Sequence, residues 1–183
     1  MTDTTEAYAA VEKAAKSRHA LYVPSVLEHA AALLTDLWAA GERHGVAPSE
    51  WGWAADLAGG ALDVVTRRYE RPETERTSEQ TTALCQDLVA ALTSDEIGLS
   101  VLPGTRKNVA IVERGPDTPR GGFRGDANLM VGIYSNGGWD ISMNADGATV
   151  LSIAAPATTD GAAEVAALVR AVVHGELGNP FRR

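Results

Sequence analysis

Hydrophobic positions recur at helical spacing through the first half of the chain and at every second position through much of the second half. "TEAYAAVEKAAKSRH" (5–19) places Tyr8, Val11 and Ala15 on one face, with Glu12 and Lys16 spaced for an i,i+4 ion pair. Pro24 breaks the chain. Ser25 and Glu28 then have the spacing of a capping box, and Val26 to His44 follows with Leu27, Ala30, Leu34, Leu37 and Trp38 as an apolar stripe. Gly45 is the expected stop. A third helix is expected from near Pro48 to about Tyr69, carrying Trp51, Ala55, Leu62, Val65 and Tyr69 at helical spacing. Gly59-Gly60 in its middle costs roughly 2 kcal/mol relative to alanine, which calls for a kink or the close approach of a neighbouring helix. "RPETERTSEQ" (71–80) reads as a polar linker, after which "TTALCQDLVAALTSDE" (81–96) resumes as a helix burying Leu84, Leu88, Val89 and Leu92.

The period then becomes two. "IGLSVL" and "NVAIVER" read as strands joined around Pro103-Gly104, and Gly115 to Ala127 is too rich in glycine and proline for regular structure. "NLMVGIYSNGGWDISMNADGATVLSI" (128–153) reads as three strands, with type I′ turn signals at Asn136-Gly137 and Asp146-Gly147. "TTDGAAEVAALVRAVVHG" closes as a helix with Val165, Leu168, Val169, Val172 and Val173 facing inward. The expected class is α+β: three to four N-terminal helices, a five-stranded antiparallel meander, and a C-terminal helix packed on one sheet face. The expected division is a helical region over 1–76 and an α-β(5)-α unit over 77–183, the two able to pack as one domain.

Two-residue turns would fix which side chains share a face. One face then holds Met130, Gly132, Tyr134, Trp139, Ile141, Met143, Val150 and Ala154. The other carries a polar stripe of Asp140, Ser142 and Asn144 between aliphatic rows, Leu129, Val131 and Ile133 on one side and Leu151 and Ile153 on the other. A half-solvated sheet face tolerates polar residues without further reason. The aliphatic rows are different: they need a cover, either the N-terminal helices or a second subunit. Trp51 and Trp53 lie about 200° apart around a helix, so one belongs to the core and the other to an edge or interface.

Composition narrows the chemistry. The 183 residues, 45% apolar and 22% charged, suit a soluble globular chain that needs no metal or disulfide to hold it. Heavy alanine use and arginine in excess of lysine point to a GC-rich bacterial genome. Cys85 is the lone cysteine, and neither a secretory pattern nor a spanning apolar run is present, which places the chain in the cytoplasm without a membrane partner. The net charge of −8 is concentrated in the first 95 residues, which carry 8 basic against 15 acidic side chains. That field opposes broad binding to nucleic acid.

The four histidines show no zinc spacing, and no nucleophile elbow, Walker loop or dinucleotide fingerprint occurs, so no metal, cofactor or catalytic residue is assigned. His29 and Asp36 share a helix face seven residues apart, a possible pair but more often a surface coincidence. The loop Gly104–Asp126 is the one basic feature, with Arg106, Lys107, Arg114, Arg120 and Arg124. Its "RGGFR" is a single copy of an element that works by repetition, and a surface loop is the simpler reading. Phe181 in the C-terminal tail is a second aromatic contact candidate.

These observations favour a non-enzymatic interaction protein, self-associating or bound to another protein through Leu129, Val131, Ile133, Leu151, Ile153, Trp51 and Trp53. The first alternative is a small-ligand or hydrolytic site formed by Asp140, Ser142 and Asn144 with Arg120 and Arg124. The second is a phosphate-contacting accessory role for the Arg106–Arg124 loop.

Overall fold

The computed structural model describes residues 4–18, 20–45, 54–92, 97–102, 107–113, 129–143, 149–173 and 176. Helix α1 (Thr4–Lys16) buries Ala7, Val11 and Ala15, a stripe at the expected spacing, with Tyr8 half-buried beside it. Glu12 and Lys16 do pair, at 3.5 Å, but both are exposed and the pair contributes only tenths of a kcal/mol. The hydrophobic pattern does not reveal the next element. Ala20–Tyr22 form a three-residue strand, β1.

Helix α2 (Pro24–Arg43) begins with proline in its first turn, where a missing N–H leaves nothing unpaired. Ser25 and Glu28 do not form the expected capping box. The Ser25 amide and hydroxyl donate to the Glu164 carboxylate at 2.9 and 2.5 Å, so the helix N-terminus is capped by an acid from the far end of the chain. The buried stripe is Val26, Ala30, Leu34 and Trp38; Leu37 lies outside it, 37% exposed. Gly45 ends the helix as expected: its amide donates to the Glu42 carbonyl at 3.0 Å, and its φ of +77° is one that side chains disfavour.

Helix α3 (Ala54–Glu70) buries Ala58, Ala61, Leu62 and Val65. Helix α4 (Ser78–Leu92) starts three residues before the expected position because Thr77 and Gln80 form the capping box that Ser25 does not. The Gln80 amide donates to Thr77 Oγ1 at 3.2 Å, and the Thr77 amide donates to Gln80 Oε1 at 2.8 Å. Five strands follow: β2 (Ile97–Leu102), β3 (Lys107–Glu113), β4 (Leu129–Ile133), β5 (Trp139–Met143) and β6 (Thr149–Ala154). Helix α5 (Thr159–Val173) comes last and buries Val165, Val169 and Val172.

The class is α+β. Among the described residues the sheet has six strands in the order β1-β6-β5-β4-β3-β2, and it is mixed rather than wholly antiparallel. Its five later strands pair antiparallel with their chain neighbours, while β1 joins the edge of β6 in parallel, Ala20 opposite Ser152 and Tyr22 opposite Ala154. Helix α4 lies against β2, β3 and β4, α3 against β6, and α1 against β1. Helix α5 packs along α4, and its Val165 and Val169 join the same core cluster as the sheet's Val131, Ile133, Ile141 and Ile153. The buried side chains form one cluster drawn from all five helices and from β4, β5 and β6.

Candidate functional site

The aliphatic side chains expected to share a face with Asp140 do not do so. A two-residue turn at Asn136-Gly137 would pair Ile133 with Asp140. The observed pairs are Ile133 with Trp139, Gly132 with Asp140 and Val131 with Ile141. A slip of one residue turns every side chain of a strand to the other face. The same slip recurs across β5 and β6, where Asp140 meets Ser152 and Trp139 meets Ile153, and a bulge follows between Ile141 and Ser142.

The slipped turn is held from outside the hairpin. The Arg76 guanidinium donates to the carbonyls of Tyr134, at 2.6 Å, and Gly137, while the Arg76 amide donates to the Ser135 carbonyl at 2.9 Å. Ser135 Oγ in turn donates to Glu75 at 2.7 Å. Burial pulls the Arg76 pKa below its ordinary value but leaves the side chain cationic at any physiological pH. Segment 71–77 is therefore a clamp on the β4–β5 turn, not a free linker. Arg76→Ala is expected to cost about 2–3 kcal/mol, because it abandons two charge-assisted hydrogen bonds. Urea unfolding of the variant measures this directly.

With this register Val131, Ile133, Ile141 and Ile153 lie on one side together, at most 1% exposed, under the chain's own helices. The expectation that aliphatic rows flank the Asp140 stripe is overturned, and Val131, Ile133 and Ile153 are not open to a second subunit. Leu129, Ser142 and Leu151 are described in their backbone alone. Asn144, Arg120, Arg124, Trp51, Trp53 and Phe181, together with Gly104, Arg106 and the Arg114–Asp126 part of the loop, lie outside the described residues.

Asp140 itself is 6% exposed and sits in a depression of about 360 Å³ shared with Glu70, Tyr134, Trp139 and Ser152. Such a site offers two carboxylates and two hydroxyls in a shallow bowl. Among the described residues no group of three or more His, Cys, Asp or Glu side chains could hold a metal ion. His29 does not engage Asp36; its Nδ1 shares a 3.0 Å hydrogen bond with the Tyr69 hydroxyl. Cys85 is buried in α4. No described helix is long and apolar enough to cross a membrane.

A larger concavity, about 760 Å³, lies between α1 and α3. Small residues create it: Ala10 and Ala14 on α1 face Gly59 and Gly60 on α3, and Trp38 from α2 completes the apolar wall. One end is closed by Arg18, which forms a two-pronged ion pair with Asp63 and donates to the Gly59 carbonyl at 3.2 Å. A methyl group on Gly59 would stand 3.0 Å from that guanidinium. The close approach expected at this glycine pair is thus made by an arginine rather than by a helix backbone. Nearby, burial raises the Tyr22 pKa above its ordinary value, opposed by Arg18 and reinforced by Asp63 and Glu70. The rim carries Glu6, Lys13 and Asp56, all exposed.

Hydrophobic periodicity does not point to this cleft. Arg18 and Asp63 are 45 positions apart, and each alone reads as an ordinary surface charge. The only legible signal is the glycine pair, whose cost in a helix interior requires a reason. Compared with known protein families, curated proteins and solved structures, the chain matches none.

Proposed function

We propose that the protein is a cytoplasmic, non-enzymatic binding protein whose principal site is the cleft between α1 and α3, where it takes a small organic ligand. The observation that carries this reading is the cleft itself. Its volume of about 760 Å³ falls within the range of small-molecule sites, and it combines an apolar wall with a few charged groups at the rim. The Asp140 depression is about half that volume and more open to solvent at Tyr134 and Ser152. Native mass spectrometry of the full chain purified from its own host tests the reading. The expected spectrum shows a retained small-molecule mass that Gly60→Leu, which fills the cleft, abolishes. A chain that carries no added mass under gentle ionisation, and takes none up from host extract, overturns it.

Self-association is the second reading. It no longer rests on the sheet. Its support is Leu37 and Val64, 37% and 49% exposed on the adjoining helices α2 and α3. Light scattering is expected to report a species that dissociates on dilution toward the 19.2 kDa chain, and a monomer at every concentration removes this reading.

A further inference from the structure

We infer that the α1–α3 cleft is selective for a small organic cation: a primary ammonium on an apolar, ring-bearing body. The ammonium meets Glu6 and Asp56 at the rim, and the body lies over Gly60 against Trp38. This inference rests on the ligand-binding reading above and adds to it the class of ligand.

The first observation concerns Gly60. It lies well inside α3, where alanine would be the more favourable helix former. Packing gives no reason for the missing side chain, since a methyl group built there meets nothing within 4 Å. Gly59 differs, because Arg18 crowds it. What a glycine does supply at position 60 is room, as the residue lines the cleft on its solvent-exposed side.

The second observation is charge. Arg18 and Asp63 are in direct contact and neutralise each other. The remaining charged groups of the cleft are Glu6 and Asp56 against Lys13, one net negative charge, and none of the three has an ion-pair partner among the described residues. The wider field has the same sign, since the first 95 residues carry an excess of seven acidic side chains. An incoming cation is favoured by both the local and the general potential, and an anion is opposed by both.

The third observation is the wall. Trp38 is 4% exposed, lines the cleft, and has an indole N–H without a hydrogen-bond partner. The part of the indole that reaches the cleft gives the apolar body of a ligand an aromatic surface to lie against.

Isothermal titration of the full chain with three indole compounds of similar size tests the assignment: tryptamine (cation), tryptophan (zwitterion) and indole-3-acetate (anion). Tryptamine is expected to bind at least about tenfold more tightly than indole-3-acetate, with an affinity that falls as salt rises. The pair Glu6→Gln and Asp56→Asn is expected to remove that preference while lowering the melting temperature by no more than a few degrees, because each acid also lies in the first turn of its helix. Gly60→Ala is expected to raise the melting temperature by about 2–4 °C and to weaken tryptamine binding. Equal or tighter binding of the anion overturns the cation assignment while leaving the cleft as a ligand site. Gly60→Ala binding as well as the parent chain overturns the role given to Gly60. Failure of all three compounds overturns the ligand class, and the retained mass in native spectrometry then decides separately whether the cleft binds anything.

Discussion

Replacing Trp139 by alanine is expected to remove about 3–5 kcal/mol of folding stability, a large part of the roughly 5–15 kcal/mol that holds a domain together. Among the described residues Trp139 is the largest of the fully buried side chains, 2% exposed. Its cross-strand partners are Ile133 on one side and Ile153 on the other, so its removal empties the space that three strands share with the helices above. Neighbouring backbone is poorly placed to collapse into the void, because Arg76 holds the adjacent turn at two carbonyls. Trp139→Phe separates packing from polarity. The indole N–H is buried without a partner, so phenylalanine gives up volume but also removes an unpaired donor. Its expected cost is under about 1.5 kcal/mol. Urea unfolding followed by far-ultraviolet circular dichroism measures both variants. A loss below about 1 kcal/mol for the alanine variant would show that position 139 is not part of the core.

Gly161→Ala is expected to lower the melting temperature by about 5–10 °C, corresponding to roughly 2–3 kcal/mol. Alanine is the better helix former, so propensity alone predicts a gain. Sterics decide otherwise. A methyl group at this position would stand 1.9 Å from the Pro156 carbonyl oxygen, a backbone atom with little freedom to move. That carbonyl is fixed by the way α5 begins: Thr158 Oγ1 accepts from the Gly161 amide at 3.1 Å, and the Thr158 carbonyl accepts from the Ala162 amide at 2.8 Å. The substitution must therefore distort either the first helical turn or the segment leaving β6. A rise in melting temperature would mean that the close approach does not exist in solution.

Gly161 and Gly60 share a residue type and a helical setting, yet their substitutions are expected to move stability in opposite directions. The contrast shows what is and is not legible in the chain. Periodicity locates α1, α2, α4, α5 and the strands of the meander, because burial of an amphipathic face is a local property repeated every turn or every second residue. Gly45 is legible for a similar reason, since the left-handed stop of a helix is encoded where it occurs. Register is not local. Asn136-Gly137 by itself favours a two-residue turn, but the pairing is shifted by one, at a turn whose carbonyls accept from Arg76, about sixty positions earlier. That single displacement puts Asp140 on the opposite face from the aliphatic rows. The cap on α2 follows the same logic: Ser25 has a plausible local partner in Glu28 but is engaged by Glu164. The cleft is the least legible feature, since it consists of small residues on two helices and carries no pattern beyond two adjacent glycines.

The parallel strand β1 has a consequence for the order in which the molecule is completed. Ala20 finds its partner at Ser152, and Ser25 is capped by a residue 139 positions later. On a ribosome adding about 5–20 residues per second, these groups emerge early and stay unmated for several seconds. A nascent chain halted before residue 149 presents a naked strand edge and an uncapped helix start, the kind of sticky intermediate that chaperones hold and proteases remove. Translation of residues 149–154 is thus the step that gives β1 its partner strand, and residue 164 the one that gives α2 its cap.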